Sequence, residues 1–294
     1  MAMTHETRTA WQNRMLLLPA VVLLTCFILL PAGAAIYISF TNAALNGVAA
    51  AHAHFVGFKN YIRLFSDEGF WNSLAVTFLF VFGSSIVGQF LLGLTSAMAL
   101  RRPIALRPVF HAAILLPNAV PEVVAGFIWI SMLAGGRYST LGRIVGLFGL
   151  APQDWLESAP LLMIIVVNTW RGIAFAMILM TSGLSAVPTD VYEAARMDGA
   201  TPRQIFWRIT LPLLRPMIFL YMLVSTAGTI AIFGLIYTLT RGGPGGATEI
   251  IGIYIYNQSF SAYQLGYGSA VGVVVLGVSV AIGAIYARVL KVQV

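Results

Sequence analysis

The sequence predicts an all-α membrane protein of six transmembrane helices, with a polar helix-turn-helix between the fourth and the fifth. Three observations carry that prediction. Hydrophobic residues make up 59% of the chain and charged residues 9%, against about a quarter charged in soluble domains, so lipid is the solvent this chain suits. Apolar runs recur at the length a bilayer demands, since a hydrocarbon core about 30 Å thick takes roughly 20 residues of helix. One stretch, 187–216, breaks the pattern by being polar and punctuated with proline and glycine.

The expected spans are 15–40, 71–100, 109–134, 160–186, 217–240 and 267–288. The first, second and fifth are free of charge, as is the sixth up to Arg288 at its end, whereas the third and fourth each hold one ionisable residue near the middle, Glu122 and Arg171. A central charge costs about 2.5 to 3.5 kcal/mol of insertion and each Leu, Ile, Phe or Val returns about 0.3 to 0.6. A dozen apolar neighbours therefore offset one charge, and both segments count as spans. The polar residues 1–14 form an expected cytoplasmic tail, and the 26-residue apolar run after it is too long for the core of a signal peptide, so it is expected to stay as an uncleaved span.

With the N-terminus inside, cytoplasmic segments hold 11 basic residues, from Arg8 and Arg14 through Arg101, Arg102 and Arg107 to Arg288 and Lys291, against 5 in the outer loops. That bias predicts both termini in the cytoplasm, with a short tail at 289–294. The formal charge of +7 is spread between apolar segments rather than gathered in one basic stretch, which speaks for topology and against nucleic acid. Cys26, the single cysteine, has no intrachain partner and sits in an apolar run, where it packs.

The stretch 187–216 reads VPTDVYEAARMDGATPRQIFWRITLPLLRP. Thr189 is expected to cap a first short helix with Asp190 in its first turn, and Gly199 after Asp198 suits a helix exit. In T-P-R-Q, Thr201 caps, Pro202 takes the first helical position and Gln204 completes a capping box. This second helix is expected to end near Thr210, with Pro212 and Pro216 turning the chain into the fifth span. Ile205, Phe206 and Ile209 fall at helical spacing on an element too polar to insert, so it needs something to dock against. A DNA-reading helix-turn-helix is a poor match, because Asp190, Glu193 and Asp198 nearly balance its four arginines.

The string Glu193-Ala194-Ala195, followed by Asp198-Gly199-Ala200, Phe206, Ile209, Leu211-Pro212 and Pro216, resembles the EAA loop of permease subunits in binding-protein-dependent ATP-binding-cassette (ABC) importers. Within that family the chain looks like the sugar-uptake branch, the maltose and glycerol-3-phosphate permeases. FVGFKNYIRLF at 55–65 resembles the branch's first external loop and TRGGPGGAT at 240–248 its loop after the fifth span. The likeness runs from about residue 15 to 288.

The resemblance implies the type I importer permease fold and a non-catalytic transport subunit of a bacterial or archaeal inner membrane. It implies that the loop is a coupling helix seated in a cytoplasmic ATPase, with Glu193, Ala194, Ala195, Asp198, Gly199, Leu211 and Pro212 carrying that contact. It also implies a second homologous permease, an ATPase dimer using ATP and Mg, and an extracytoplasmic substrate-binding protein. The chain holds no G-x-x-x-x-G-K-[ST] phosphate loop of its own and no cofactor is expected in it.

Ionisable residues inside spans are functional candidates by default. Glu122 and Arg171 each lie about 13 residues, roughly 20 Å, from where their spans enter the membrane, which sets them level. Two readings of the pair stand together: an ion pair holding the bundle, and contact with substrate. Pro117 and Pro121 interrupt the third span just before Glu122 and free backbone carbonyls, as a helix lining a pathway does. Asn118 and Asn168 lie one turn from Glu122 and Arg171, and Trp129, Trp170, Phe233 and Tyr237 offer flat apolar surface for a sugar ring. Phe233 replaces a polar or acidic residue carried by many relatives, which leaves a glycerol-3-phosphate or glycerophosphodiester substrate as the alternative, with Arg171 as anion partner.

His52 and His54 stand two apart without an acidic or thiol neighbour, and His5 and His111 are isolated, so no metal site is expected. No catalytic constellation faces either membrane surface, which argues against an enzyme. A channel would have no need of the docking loop.

Overall fold

The computed structural model describes residues 17–101, 105–149 and 151–290. The expected tail at 1–14, the start of the first span, Arg8, Arg14, Arg102, His5 and Lys291 lie outside them. The described residues are mostly helical, with one isolated bridge between Thr41 and Phe55. In chain order the principal helices are α1 (Leu17–Ser39), α2 (Lys59–Phe65), α3 (Glu68–Leu100), α4 (Arg107–Ala119), α5 (Glu122–Leu133), α6 (Thr140–Leu147) and α7 (Pro160–Ala186). There follow α8 (Thr189–Met197), α9 (Pro202–Leu213), α10 (Arg215–Ile230), α11 (Gly234–Leu239), α12 (Ile251–Tyr256) and α13 (Leu265–Leu290).

Four helices, α1, α3, α7 and α13, are each long and apolar enough to cross a membrane alone. The third span is a bent pair, α4 and α5 meeting at 107°. Pro121 forces Val120 before it out of the helical region to ψ 126°, so the expected break is present at Pro121, while Pro117 stands inside α4 without ending it. The fifth span was expected unbroken over 217–240 and is not. Its helix stops at Ile230 and resumes at Gly234 after a non-helical turn at 231–233, where Gly228 and Gly234 weaken the helix.

The chain folds as two compact units, one of the described residues up to Asp67 with Ile255–Gly277, the other of Glu68–Tyr254 with the described residues from Val278 onward. In the first, the Asn60 side chain donates to the carbonyls of Ser39 and Thr41, both at 2.8 Å, satisfying the open end of α1. Phe40 packs on Phe55, Phe58 and Tyr61 with ring centroids 5.3 to 6.1 Å apart. The motif at 55–65 is thus the lid that closes the end of the first span.

In the second unit α3 and α7 pack at close range along small residues. A Cβ on Gly93 would stand 2.3 Å from that of Ala176, and one on Gly88 would stand 2.5 Å from the Thr169 hydroxyl, so only glycine lets the backbones approach this far. Between them runs a buried polar seam. Asn168 donates to Ser84 (2.9 Å), Gln89 donates to the Asn168 carbonyl (2.9 Å), and Tyr221 donates to the Ser85 carbonyl (2.8 Å) while Ser225 joins Gln89 (3.1 Å). With no water in hydrocarbon, such groups must satisfy one another. The wider π-helical turns of α3 over Val81–Gln89 turn Ser84, Ser85 and Gln89 inward.

Candidate functional site

Two regions carry the candidate residues, both within the second unit. The first lies where the two interrupted spans meet. Glu122 is the first residue of α5, where the helix N-terminus favours its negative charge, and its Oε1 stands 3.6 Å from Arg171 Nη1 on α7. Their side chains are 39% and 15% exposed, respectively, so the arginine is the deeper member of a pair that reaches open space on the glutamate side. Gly234, the first residue of α11, lies against the same carboxylate: a Cβ there would stand 3.1 Å from Glu122 Oε2. One turn on, Gly126 lies against Thr238, whose methyl would be 2.7 Å from an added Cβ. The face of α5 at 122 and 126 therefore packs tightly on α11, and the break in each span ends at this contact.

Trp129 and Trp170 stand edge to face at 5.5 Å, and Phe233 stacks on Tyr237 at 5.0 Å. Trp129, Trp170, Trp155 and Phe233 all pack against one apolar cluster built on Phe80, Val167, Leu235 and Ile236. Three donors at this cluster, Trp129 Nε1, Trp155 Nε1 and Arg171 Nε, are buried with no hydrogen-bond partner among the described residues. Buried donors are rarely left so, and an orphan marks a place for water or a ligand acceptor.

Neither asparagine joins this constellation. Asn168 is 4% exposed and its amide donates to Ser84 in the polar seam, with no hydrogen bond to either member of the pair among the described residues. Asn118 is exposed on α4, and the 107° bend carries it onto a different arm from Glu122, so the one-turn spacing of a continuous helix does not apply. Sequence reasoning missed Gly234, Gly126 and Trp155, since a glycine's importance here comes from a close approach that only the fold brings about. The seam had a legible signal in Tyr221, Ser225 and Thr229 at successive turns.

The second region is the pair α8 and α9. The N-cap of α8 is Pro188 and not Thr189, whose hydroxyl lies 3.4 Å from the Asp190 carboxylate instead of bonding the helix backbone. Gly199 leaves α8 at φ +77°, a conformation glycine adopts without strain. The capping box forms as the sequence predicts: Thr201 accepts from the Gln204 backbone (3.3 Å) and Gln204 accepts from the Thr201 backbone (2.7 Å). The expected stop at Thr210 is overturned. α9 runs on to Leu213 because its turns widen before Pro212, the Leu211 N–H donating to the Phe206 carbonyl five residues back, and the chain bends by 63° into α10.

Glu193, Ala194, Asp198 and Gly199 are exposed, Ala195 is buried, and Leu211 and Pro212 are half-buried. Phe206 and Leu211 pack with Leu184, Leu214 and Tyr221, which ties α9 to the ends of α7 and α10. The unit thus offers one face outward while its other face is anchored on α7, α10 and, through Leu94, Ala97 and Leu100 of the same cluster, α3.

Residues 89–291 match the family described as "Binding-protein-dependent transport system inner membrane component". The trehalose/maltose transport system permease protein MalF of Thermococcus litoralis is 32% identical over 284 residues, 96% of this chain and 94% of that protein. The sulfoquinovosyl glycerol transport system permease protein SmoG of Agrobacterium fabrum is 32% identical over 94% of this chain and 89% of its own. Among solved structures, a chain of the bacterial alginate ABC transporter in complex with an alginate pentasaccharide-bound periplasmic protein matches with a TM-score of 0.81 at 20% identity, over 98% of each chain.

Proposed function

The chain belongs to the family of binding-protein-dependent transport system inner membrane components, and from that premise we propose that it is the permease through which an ATP-driven importer admits a neutral carbohydrate. The observation that carries the substrate class is the meeting of two broken spans at the Glu122–Arg171 pair beside Trp129 and Trp170. Interrupted helices at mid-membrane are where transporters place substrate sites. Aromatic faces stack on a sugar ring while the orphan donors of Trp129, Trp155 and Arg171 offer hydrogen bonds to its hydroxyls. Of the two relatives named above, the trehalose/maltose permease supports a neutral sugar, and the sulfoquinovosyl glycerol permease, whose substrate bears a sulfonate, supports a carbohydrate without supporting its neutrality.

An anionic substrate such as glycerol 3-phosphate would need the Arg171 charge for itself. That charge faces Glu122, which disfavours the alternative.

In this reading α8 and α9 dock in a separate cytoplasmic ATPase that hydrolyses ATP with Mg, with Glu193, Ala194, Asp198 and Gly199 at the contact, buried Ala195 packing α8 from behind, and Leu211 and Pro212 relaying the contact to α10. Small Ala194 permits close approach, Glu193 offers a charge to a donor on the ATPase, and the anchored rear face of α9 passes the push through Leu214 into the fifth span. A second homologous permease completes the pathway and an extracytoplasmic protein delivers the sugar. Both termini then lie in the cytoplasm.

The test is uptake by cells that carry the intact transport system with this chain as the only variable. Labelled neutral oligosaccharides are expected to accumulate, with Trp129→Ala and Trp170→Ala each lowering uptake at least about tenfold, the worth of one or two lost ring contacts. Uptake of glycerol 3-phosphate in place of any neutral sugar would transfer the assignment to the phosphate esters.

A further inference from the structure

A cavity of about 630 Å³ opens between the end of α3, the end of α7 and the two short helices, lined on its polar side by Arg101, Thr189, Tyr192, Glu193, Arg196 and Thr210. It is separate from the Glu122–Arg171 site and shares only Glu193 with the docking contact. Arg101 lies over the Tyr192 ring at 4.9 Å, an arrangement that holds the guanidinium in place. Neither Arg101 nor Arg196 forms a salt bridge among the described residues. Tyr192 is 9% exposed, and its hydroxyl is buried with no partner among those residues. The lining thus offers two guanidinium groups and an unspent hydroxyl against one carboxylate, a set of donors that matches the oxygens of a tetrahedral anion.

We propose that this cavity binds a phosphate group. Placing it at the inner membrane boundary rests on the cytoplasmic assignment of α8 and α9 given above, and there the group comes from one of two sources, a soluble phosphate ester or the headgroup of an anionic lipid. Because one wall is the coupling helix α8 and the opposite wall is α3, a bound phosphate bridges Arg196 to Arg101. It thereby ties the position of α8 to the membrane helices, so occupancy sets how freely α8 moves with the ATPase.

The experiment uses the full chain in nanodiscs. In phosphatidylcholine discs, equilibrium dialysis with radiolabelled inorganic phosphate reads the soluble source. In discs containing phosphatidylglycerol, native mass spectrometry reads retained lipid. Saturable phosphate binding at one site per chain, weakened at least about tenfold by Arg101→Gln with Arg196→Gln and displaced by glycerol 3-phosphate, establishes the soluble source. Retention of one phosphatidylglycerol that the double variant loses establishes the lipid source. Tyr192→Phe, which keeps the ring under Arg101 and so guards against a folding artefact, is expected to weaken either ligand about threefold. The proposal is overturned by the absence of both ligands from the unmutated chain, or by binding that the double variant leaves unchanged. Neither readout involves transport, so its failure leaves the permease assignment standing.

Discussion

Gly234 and Glu122 touch across the two broken spans: the hydrogen-bearing face of the glycine stands where any Cβ would come within 3.1 Å of the carboxylate's Oε2, while the same carboxylate's Oε1 pairs with Arg171. One residue therefore joins three helices, α5, α7 and α11. The pair is half open, and an exposed partner tempers the energy of an ion pair. Glu122→Gln and Arg171→Gln are each expected to lower stability by about 1 to 2 kcal/mol. The double variant is expected to cost less than the sum, and strict additivity in thermal unfolding would mean the two charges do not interact.

The approach of α3 to α7 gives a sharper test. Gly93→Ala would bring a methyl within 2.3 Å of Ala176 and 2.9 Å of the Met177 backbone nitrogen, and neither can yield without moving a helix. A loss of about 1 to 3 kcal/mol is expected. Gly277→Ala and Gly228→Ala meet nothing within 4 Å and are expected to be neutral or slightly stabilising. Equal effects at all three positions in detergent unfolding would show that the glycines do not mark the helix contact.

For the polar seam, Gln89→Leu removes the donor to the Asn168 carbonyl and one acceptor of Ser225, which keeps its 2.7 Å bond to Ser85. Losing these buried hydrogen bonds costs about 0.5 to 1.5 kcal/mol each, so the variant is expected to be less stable than Ser66→Ala, whose hydroxyl is exposed. A Gln89→Leu protein as stable as the parent would mean the seam contributes nothing.

Gly199→Pro replaces a residue at φ +77° by one confined near −65°. The α8–α9 joint cannot keep its bend, so the variant is expected to insert normally, hydrolyse ATP in its assembly and accumulate little substrate. Unimpaired uptake would remove α8 and α9 from the coupling role.

The α-helical membrane class, the short polar helices, the capping box and the break at Pro121 were all legible because each depends on local chemistry: apolar length, a Thr-Pro-x-Gln string, and a proline acting on the residue before it. The site was partly legible. Glu122 and Arg171 stand out because charge is costly in lipid, whatever surrounds it. Asn118 and Asn168 lie apart from the pair in ways spacing alone does not show, Asn118 across the 107° bend and Asn168 with its amide held by Ser84. The break at 231–233 and the π turns of α3 had no proline to announce them; both coincide with close contacts between distant segments, Gly234 on Glu122 and Gln89 against Gly172. Pro212 misled in the opposite sense, since a wider turn absorbs its missing N–H.

The most direct test of the whole account is to purify the chain from its native membrane in mild detergent and identify by mass spectrometry what remains bound. A second permease, an ATPase with a phosphate-binding loop and an extracytoplasmic binding protein are the result expected, with the ligand of that binding protein naming the sugar. Recovery of the chain alone, or only as copies of itself with no ATPase, would contradict an importer driven through α8 and α9.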